Sequence, residues 1–277
     1  MKDKSGIIKR INFDDEKTGK YTAFQVNKKW NNPGKYRGVN EGRCMIISGK
    51  ETYNKKSLRI KYPKGKINPK EGGAQWRLFF DKPYKELYVQ YKVMFPKGFN
   101  FVRGGKLPGF GGGSIPVGGQ KTDDGFSARI MWRVDGFKDG DKIKNPFKAY
   151  LTQYIYYPAK KISKDWGEDF NWIYKNSKKR NKKVYPKSER WHTIKMRIKL
   201  GIAGKKDDLI ESWFDGKKVL RVKLALRDKK YKIGVDTFIF TTSFGGNDKT
   251  WFPVKDEYIY FDDFIISTKD IPFETKK

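Results

Sequence analysis

From about Gln75 onward, short segments in which apolar and polar residues alternate are separated by Gly, Pro, Asn and Asp. Alternation with a period of two, interrupted by turn-forming residues, is typical of antiparallel strands joined by tight turns. The pattern predicts strands over residues 74–80, 86–95, 126–134, 148–157, 191–200, 209–214, 218–223, 237–243 and 258–267. The sequence shows no convincing amphipathic helix and no internal repeat, so we predict an all-β fold.

The clearest turn signal is Asp215-Gly216, which lies between Trp213-Phe214 and Val219-Leu220. An Asp-Gly pair between two apolar segments strongly indicates a two-residue hairpin. We therefore expect the strands on either side of this pair to be hydrogen-bonded neighbours.

Two basic segments lack the alternation. Residues 1–45 read as irregular, and we expect them to wrap around the sandwich. Residues 159–190, which contain the run KNSKKRNKK, are interpreted as an inserted loop that is either a solvated surface or a positive rim beside a binding groove. A length of 277 residues suits one all-β unit, so we predict a single domain over 1–277.

The strand FSARIMWRV separates into two faces, because successive side chains of a strand point in opposite directions. The apolar face consists of Phe126, Ala128, Ile130, Trp132 and Val134. The other face consists of Ser127, Arg129, Met131 and Arg133. Two arginines are therefore predicted to point away from the core on one face.

The strand AYLTQYIYY is unusually rich in tyrosine. Tyr150, Thr152, Tyr154 and Tyr156 share one face, on which neighbouring side chains stand about 6.6 to 7 Å apart. A face with this many hydroxyls suits a wet groove. The alternative is that these tyrosines pack as ordinary strand residues with their hydroxyls at the rim.

The single histidine, His192, falls in register with the apolar residues Ile194, Met196 and Ile198 of its strand. We interpret it as a structural residue. A Ser-His-Asp triad or a histidine metal site is therefore not expected.

The stretch GGKLPGFGGGSIPVGG, residues 104–119, is interpreted as a loop whose backbone can approach a ligand closely. It matches neither a phosphate-binding loop nor a dinucleotide fingerprint. Lys106 is the one charged side chain between Gly104 and Gln120, and it is either solvated or part of a site.

Lys and Arg number 62 against 31 Asp and Glu, a formal net charge of +31. Nucleic acid, an anionic membrane surface and an acidic polysaccharide all fit such a charge. No apolar run reaches transmembrane length, and the Met-Lys-Asp-Lys start has no signal-peptide core; if the protein is exported, its leader is absent from this sequence. Cys44 is the only cysteine, which excludes an internal disulfide.

The residues picked out above resemble polysaccharide lyase family 14, the alginate and glucuronan lyases. The matching elements are GGKLPG, the Ser127 and Arg129 of FSARIMWR, the Tyr154 and Tyr156 of QYIYYP, WHTIKMRIKLG, WFDGKKV, SFGG, Trp251, Pro253 and FDDFIIS. They span roughly residues 100 to 267, and their combination is far more specific than any one motif.

The resemblance implies a β-jelly roll of two antiparallel sheets with the substrate in a concave groove. By matching position, it implies an active-site set of Lys106, Ser127, Arg129, Tyr154 and Tyr156. Around that set, we expect Arg133, Gln120, Lys121, Tyr150 and Thr152 to bind substrate. Some family members use a histidine where this chain has Gln120 and Lys121, so a histidine-assisted reaction is not expected here.

A lyase of this kind cuts a 4-linked uronate by removing the C5 proton and expelling the oxygen on C4. Arg129 is the first choice to stabilise the charge that develops on the carboxylate, with Lys106 and Ser127 assisting. Neighbouring positive charge can bring the pKa of a tyrosine towards working pH. Tyr156 or Tyr154 is therefore the expected base, the other phenol serving the leaving oxygen, and Lys106 is the alternative base.

The expected function is depolymerisation of alginate, especially polymannuronate, or of glucuronan, by a secreted monomer that requires no cofactor. One alternative is a non-catalytic jelly-roll module that binds acidic polysaccharide. A nucleic-acid binder is a second, although no nucleic-acid-binding signature is recognisable. Asp262-Asp263 could hold a structural calcium, but two carboxylates are too few to establish a site, and hydrogen bonding to nearby backbone is preferred.

Overall fold

The computed structural model describes residues 5–120, 123–138, 143, 145–158, 166–175 and 182–273. Within these residues the strands form one nine-stranded sheet, one seven-stranded sheet and a small two-stranded sheet. Every strand pair is antiparallel, so the predicted all-β fold with antiparallel pairing is confirmed. In the same part of the chain, no helix has the length and apolar character needed to cross a bilayer.

The strands are β1 (Ile7–Ile11), β2 (Gly19–Lys20), β3 (Tyr36–Arg37), β4 (Cys44–Ser48), β5 (Lys56–Tyr62), β6 (Gly73–Tyr84), β7 (Glu86–Met94), β8 (Gly104–Gly113), β9 (Gly125–Val134), β10 (Ala149–Tyr156), β11 (Glu168–Asn171), β12 (Ile173–Tyr174), β13 (Lys182–Lys183), β14 (His192–Lys199), β15 (Asp208–Phe214), β16 (Lys217–Leu224), β17 (Val235–Phe244) and β18 (Glu257–Ser267). The helices are α1 (Ala23–Lys29), α2 (Asn68–Glu71) and a 3-10 turn at Lys249–Trp251.

The nine-stranded sheet runs in the order β16-β15-β14-β7-β18-β5-β4-β2, with β1 also paired to β18. The seven-stranded sheet runs β11-β10-β9-β8-β17-β6-β3. Consecutive strands such as β8-β9-β10-β11 and β14-β15-β16 are joined to strands distant in sequence, since β8 pairs with β17 and β7 pairs with β18. Such long connections between hairpins are typical of a jelly roll. The two sheets make a β-jelly roll sandwich.

Aromatic side chains fill the space between the sheets. Phe240 of β17 packs on Phe261 and Phe264 of β18 with ring centroids 5.3 and 5.9 Å apart. Trp132 of β9 is fully buried and lies 5.6 Å from Phe244 in an edge-to-face arrangement. Large rings bury much apolar area per residue and stabilise this core strongly.

All nine strands predicted from alternation are present. The Asp-Gly hairpin is confirmed as well: Asp215 and Gly216 have φ angles of 48° and 82°, and β15 pairs with β16. Positive φ at both central residues is what a type I′ turn requires.

The loop interpretation of residues 104–119 is wrong for most of that stretch, because Gly104–Gly113 form β8. β8 is paired on both sides, with β9 and with β17. Its glycines are needed for packing: a Cβ on Gly105 would lie 2.0 Å from the Trp132 ring, and one on Gly109 would lie 2.1 Å from the Ala128 carbonyl oxygen. Pairing with two strands and close contact with neighbours therefore outweigh the poor strand propensity of glycine.

Residues 1–45 are more regular than expected, since they contain β1 to β3, the start of β4, and α1. The helix begins at the N-cap Thr22, whose side chain and that of Gln25 form a reciprocal capping box. Helix α1 escaped detection because it is only seven residues long and buries a single residue, Val26. Trp30 follows it and is fully buried against Trp76.

The expected loop at 159–190 is only partly described, and the described part corrects the expectation. Glu168–Asn171 form β11, which pairs with β10 at the edge of the seven-stranded sheet. Ile173–Tyr174 and Lys182–Lys183 pair with each other. Residues 159–165 and 176–181, with most of the lysine-rich run, lie outside the described residues.

The interpretation of His192 as a structural residue agrees with its surroundings. Its ring is buried, and Nδ1 lies 2.7 Å from a carboxylate oxygen of Asp215. Nε2 contacts the backbone of Lys187, and the ring stacks on Phe214. Both ring nitrogens therefore hold the hairpin and the start of β14 in place.

Candidate active site

A cavity of about 410 Å³ opens on the face of the seven-stranded sheet that points away from the core. It is lined by Arg37, Asn68, Pro69, Gln75, Lys106, Val117, Gly118, Arg129, Met131, Arg133, Phe137, Tyr154, Tyr156, Trp166, Thr241, Gly246, Asn247 and Trp251. No acidic side chain is among these residues, so the cavity wall carries only positive and neutral groups.

Strand β9 supplies Arg129, Met131 and Arg133 to the cavity, as the alternation predicted. The opposite face of β9 is buried in the core. Tyr154 of β10 pairs directly with Arg129, and Tyr156 pairs with Ser127. Register and alternation together therefore bring the arginine and the two phenols onto one surface.

Arg129 is a buried cation with no ion-paired carboxylate among the described residues. Only 2% of the residue is exposed, and among the described residues its Nε and Nη2 have no hydrogen-bond partner. Burial lowers the pKa of its guanidinium, while Tyr156 and Tyr154 act in the opposite direction. A buried guanidinium without a partner is costly in a folded protein, so Arg129 is arranged to receive an anion.

The two tyrosines form a pair at the wall of the cavity. The hydroxyl oxygens of Tyr154 and Tyr156 are 3.3 Å apart, and the rings are perpendicular. The backbone N–H of Gly167 donates to the Tyr154 oxygen at 3.0 Å, and that of Gly119 donates to the Tyr156 oxygen at 3.1 Å. The Arg129 guanidinium lies 5.9 Å from the centre of each ring.

Burial and the neighbouring Tyr156 raise the pKa of Tyr154, against the opposing effect of Arg133 and Arg129. The expectation that nearby cations would bring this phenol towards working pH is therefore wrong for Tyr154, because burial is the larger effect. Tyr154 remains a proton donor under neutral conditions.

Lys106 stands on β8 opposite Met131 of β9 and Ser243 of β17, and its side chain reaches the cavity. Burial, together with the positive charges of Arg129 and Arg133, lowers the pKa of Lys106 to about 7. The amine is therefore neutral in a substantial fraction of molecules at neutral pH, and it can accept a proton there.

Ser127 does not line the cavity. It is fully buried, and its hydroxyl donates to the carbonyl oxygen of Pro116 at 2.6 Å. This bond holds the segment that brings Val117 and Gly118 to the cavity. Its contacts are those of a positioning residue rather than of a group that touches a ligand.

Among the described residues that were expected to bind substrate, only Arg133 lines the cavity. It forms an ion pair with Asp169 at 3.0 Å and lies over the rings of Phe137 and Trp251. The described residues expected at the cavity but lying outside its lining are Gln120, Tyr150 and Thr152. Lys121 lies outside the described residues.

The three residues outside the lining have other contacts. The side-chain oxygen of Gln120 accepts from the backbone N–H of Val117 at 3.1 Å. Tyr150 packs against Tyr185, with the Lys183 ammonium over its ring. Thr152 is completely covered. Alternation identified the correct face for Tyr150 and Thr152 but not which part of that face stays open.

Several lining residues were not anticipated, among them Arg37, Gln75, Thr241 and Trp251. Thr241 and Gln75 alternate with core residues of β17 and β6 in the same way as the residues of β9. Dividing the side chains of β6 and β17 into two alternating faces, as was done for β9, would have placed Gln75 and Thr241 on the cavity face. Arg37 carried no comparable signal, because β3 is only two residues long.

The acidic pair Asp262-Asp263 is engaged by protein groups. Ser57 donates to one carboxylate oxygen of Asp262 at 2.7 Å, and the backbone N–H of Asp263 donates to the other at 2.8 Å. Burial raises the pKa of Asp262 to about 6. In the described ranges no group of three or more His, Cys, Asp and Glu residues is placed to hold a metal ion.

A jelly-roll sandwich with a cation-lined cleft on its outer face suits an anionic ligand. The family model for polysaccharide lyase 14 matches residues 50–264, well over half of the chain. The chain belongs to the polysaccharide lyase 14 family, as the sequence motifs indicated. It is a lyase by class.

Solved structures share the fold. Alginate lyase Aly36B, solved as a double variant in complex with an alginate tetrasaccharide, is 21% identical with a TM-score of 0.76, covering 96% of this chain and 98% of the other. The PL-14 alginate lyase from Aplysia kurodai is 21% identical with a TM-score of 0.67 and coverage of 95% and 99%. An alginate lyase from Chlorella virus is 22% identical with a TM-score of 0.65 and coverage of 92% and 99%. No curated protein matches the sequence.

Proposed function

We propose that the protein depolymerises a 4-linked polyuronate, alginate or glucuronan, by β-elimination and leaves unsaturated uronate ends. The observation that carries this proposal is the unpartnered Arg129 guanidinium beside Lys106 and the Tyr154–Tyr156 pair. Membership of the family and the alginate oligosaccharide bound by the structural neighbour Aly36B support it.

Arg129 binds the carboxylate of the sugar whose C5–H bond breaks. Removing that proton places additional negative charge on the carboxylate, and a guanidinium stabilises it through two parallel N–H donors. Electrostatic stabilisation of developing charge is usually the largest contribution to such catalysis. No carboxylate among the described lining residues competes for Arg129, which strengthens this interaction.

Lys106 takes the C5 proton, and the tyrosine pair donates to the oxygen that leaves C4. The sequence alone favoured a tyrosine as base, with Lys106 as the alternative. The lowered pKa of Lys106 and the raised pKa of Tyr154 favour the lysine as base and the phenol as acid. The Aly36B variant that binds an alginate tetrasaccharide also has a lysine and a tyrosine replaced by alanine.

The protein acts outside the cell, where polymeric uronates occur, and it acts as a monomer.

The direct test is to mix the protein with polymannuronate, polyguluronate and glucuronan and to follow the ultraviolet absorbance of the unsaturated product. Absorbance should rise with at least one polymer, and product sizing then separates endo from exo cleavage. Binding without new unsaturated ends on all three polymers would instead identify a carbohydrate-binding module. Steeply salt-dependent affinity for DNA or RNA in place of polyuronate would identify a nucleic-acid binder.

A further inference from the structure

We propose that the cleft extends beyond the reaction centre to a second carboxylate-binding subsite at Arg77 and Arg37, which holds a later sugar of the same polyuronate chain. The inference rests on the proposed function, since it assigns a further part of the same substrate to this face. Part of its wall, residues 33–37, precedes the residues 50–264 matched by the family model.

The strand register places Arg77 in line with Arg129. Arg129 pairs with Gly109, Gly109 pairs with Ile239, and Ile239 pairs with Arg77. Three strand spacings separate the backbone positions of the two arginines, about 14 Å across the sheet, and the positive charge of Arg77 still contributes to lowering the pKa of Arg129. Every sugar of a polyuronate carries a carboxylate, so a cation at that distance along the cleft meets a different sugar of the bound chain.

A second cavity, of about 590 Å³, lies over this part of the sheet. It shares Arg37 and Gln75 with the cavity around Arg129, so the two spaces meet at these side chains. Gln75 pairs with Arg37 of β3 on one side and with Thr241 of β17 on the other. A ligand longer than one sugar therefore has a continuous path across the strands.

Arg77 has the character of an anion-binding residue. It is half-buried, and within the described part of the chain its guanidinium has no hydrogen-bonded or ion-paired carboxylate. Burial lowers its pKa, an effect that Asp236 opposes from a distance. Phe79, on the same face of β6, is 52% exposed and offers an apolar surface beside the charge, as ligand-binding clefts often do.

Beside the line that joins the two arginines, on the same face of β17 as Ile239, two hydroxyls have no partner among the described residues. Thr241 and Ser243 are almost fully buried, and their Oγ atoms have no hydrogen-bond partner among the described residues. Buried hydroxyls in native proteins are nearly always satisfied. Of the two, Thr241 lines the cavity, and a sugar hydroxyl bound there would supply its missing partner.

The outer wall of the subsite is held rigidly. Trp30, which is fully buried, packs on Trp76, Phe238 and Phe240 and so anchors the chain just before the wall. The segment then turns through Gly34, at a φ of 69°, into β3, which pairs with β6. A wall fixed in this way needs little ordering on binding, which favours affinity.

The experiment compares Arg77→Ala and Arg37→Ala with the wild type on size-fractionated oligouronates and on the full polymer. Arg10→Ala is the matched control, because Arg10 is exposed on β1 of the nine-stranded sheet. We expect the ratio of kcat/KM for the polymer to kcat/KM for the shortest cleaved oligomer to fall about 10-fold in Arg77→Ala, with a smaller fall in Arg37→Ala. One lost charged hydrogen-bond contact corresponds to about that factor.

Polymer binding to each variant is measured in parallel by titration under conditions without turnover. An unchanged length dependence in both variants, with unchanged polymer affinity, overturns the subsite while leaving the lyase proposal intact. If the wild type cleaves no polyuronate, the proposed function fails; weaker polymer binding by Arg77→Ala than by Arg10→Ala still supports the subsite as part of a binding module. Arg77→Lys, which keeps the charge, should recover part of the affinity in either case.

Discussion

Two arginines on the outward faces of the two sheets have opposite surroundings. On the nine-stranded sheet, Arg197 of β14 lies between two carboxylates, 2.6 Å from Glu86 and 2.7 Å from Glu211. On the seven-stranded sheet, Arg129 of β9 is more deeply buried, yet its Nε and Nη2 have no partner among the described residues. Burial alone would lower the pKa of Arg197, but the hydrogen bonds that it donates to Glu211 and Glu86 raise it, whereas burial lowers the pKa of Arg129.

This difference shows what a net charge of +31 does and does not indicate. Cations with carboxylate partners, such as Arg197, satisfy their own charge and contribute to the fold. A buried cation in a cavity without a carboxylate partner destabilises the folded protein unless an anionic ligand binds it. The position of such a cation therefore indicates the binding site. The total charge attracts polyanions in general, and the unpaired cations decide where one binds.

The largest effect should follow from removing the unpaired arginine. Arg129→Ala is expected to lower kcat/KM on polyuronate by about 1,000-fold, because the charge on the substrate carboxylate loses its main stabilising group. Steady-state rates from ultraviolet absorbance measure this, with circular dichroism to verify the fold. Full activity in a folded Arg129→Ala protein would refute the role assigned to this face.

The tyrosine pair should give the next largest effect. Tyr154→Phe removes the proton donor for the leaving oxygen and is expected to reduce kcat by about 100-fold. Tyr157→Phe is the matched control, since Tyr157 belongs to the opposite column and its hydroxyl donates to Glu168. Equal losses in both variants would show that the effect of Tyr154→Phe is structural.

The pH dependence of kcat/KM should reflect the effect of the neighbouring arginines on the pKa of Lys106. Because its pKa is lowered to about 7 and the neutral amine is the base, kcat/KM should rise as pH increases through about 7. Arg133 contributes to this lowering, so Arg133→Ala should raise the pKa of Lys106 and move the rise to higher pH. The measurement is a pH–rate profile, and an unmoved midpoint in Arg133→Ala would argue against Lys106 as the titrating base.

The smallest effect on activity is expected from replacing Arg197, the ion-paired arginine on the nine-stranded sheet. Arg197→Ala should leave the activity close to that of the wild type and lower the free energy of unfolding by roughly 1–2 kcal/mol, because Glu211 is buried and loses one of its partners. Denaturant unfolding with parallel activity assays measures both quantities. Activity lost without a loss of stability would remove the distinction between the two faces.

Much of the fold could be predicted from short-range pattern. The period of two along FSARIMWRV and AYLTQYIYY placed Arg129, Tyr154 and Tyr156 away from the core, since alternation is a local property of an extended chain. Strand β8 was missed for the opposite reason. Its glycines have low strand propensity, and their necessity becomes visible only when Trp132 and Ala128 press against them from the neighbouring strand.

The sequence could predict which residues point away from the core, but not which of them remain open to the cavity. Ser127 and Arg129 occupy the same column of β9, yet the hydroxyl of Ser127 is covered by the segment at Pro116 and the arginine reaches the cavity. Likewise, Tyr150 and Tyr154 share a column, and only Tyr154 lines the cavity. What covers one position and leaves its neighbour open comes from segments distant in sequence.

The amino-acid sequence by itself determined nine of the strands, the two faces of those strands and the family, because these depend on neighbouring residues and on motif order. The tertiary structure alone decided which columns meet and which cations lack carboxylates. It also decided how far burial moves the pKa values of Lys106 and Tyr154. Desolvation and ion pairing depend on atoms that are distant in sequence and are brought together across the sheets. No local sequence pattern encodes which of these atoms become neighbours.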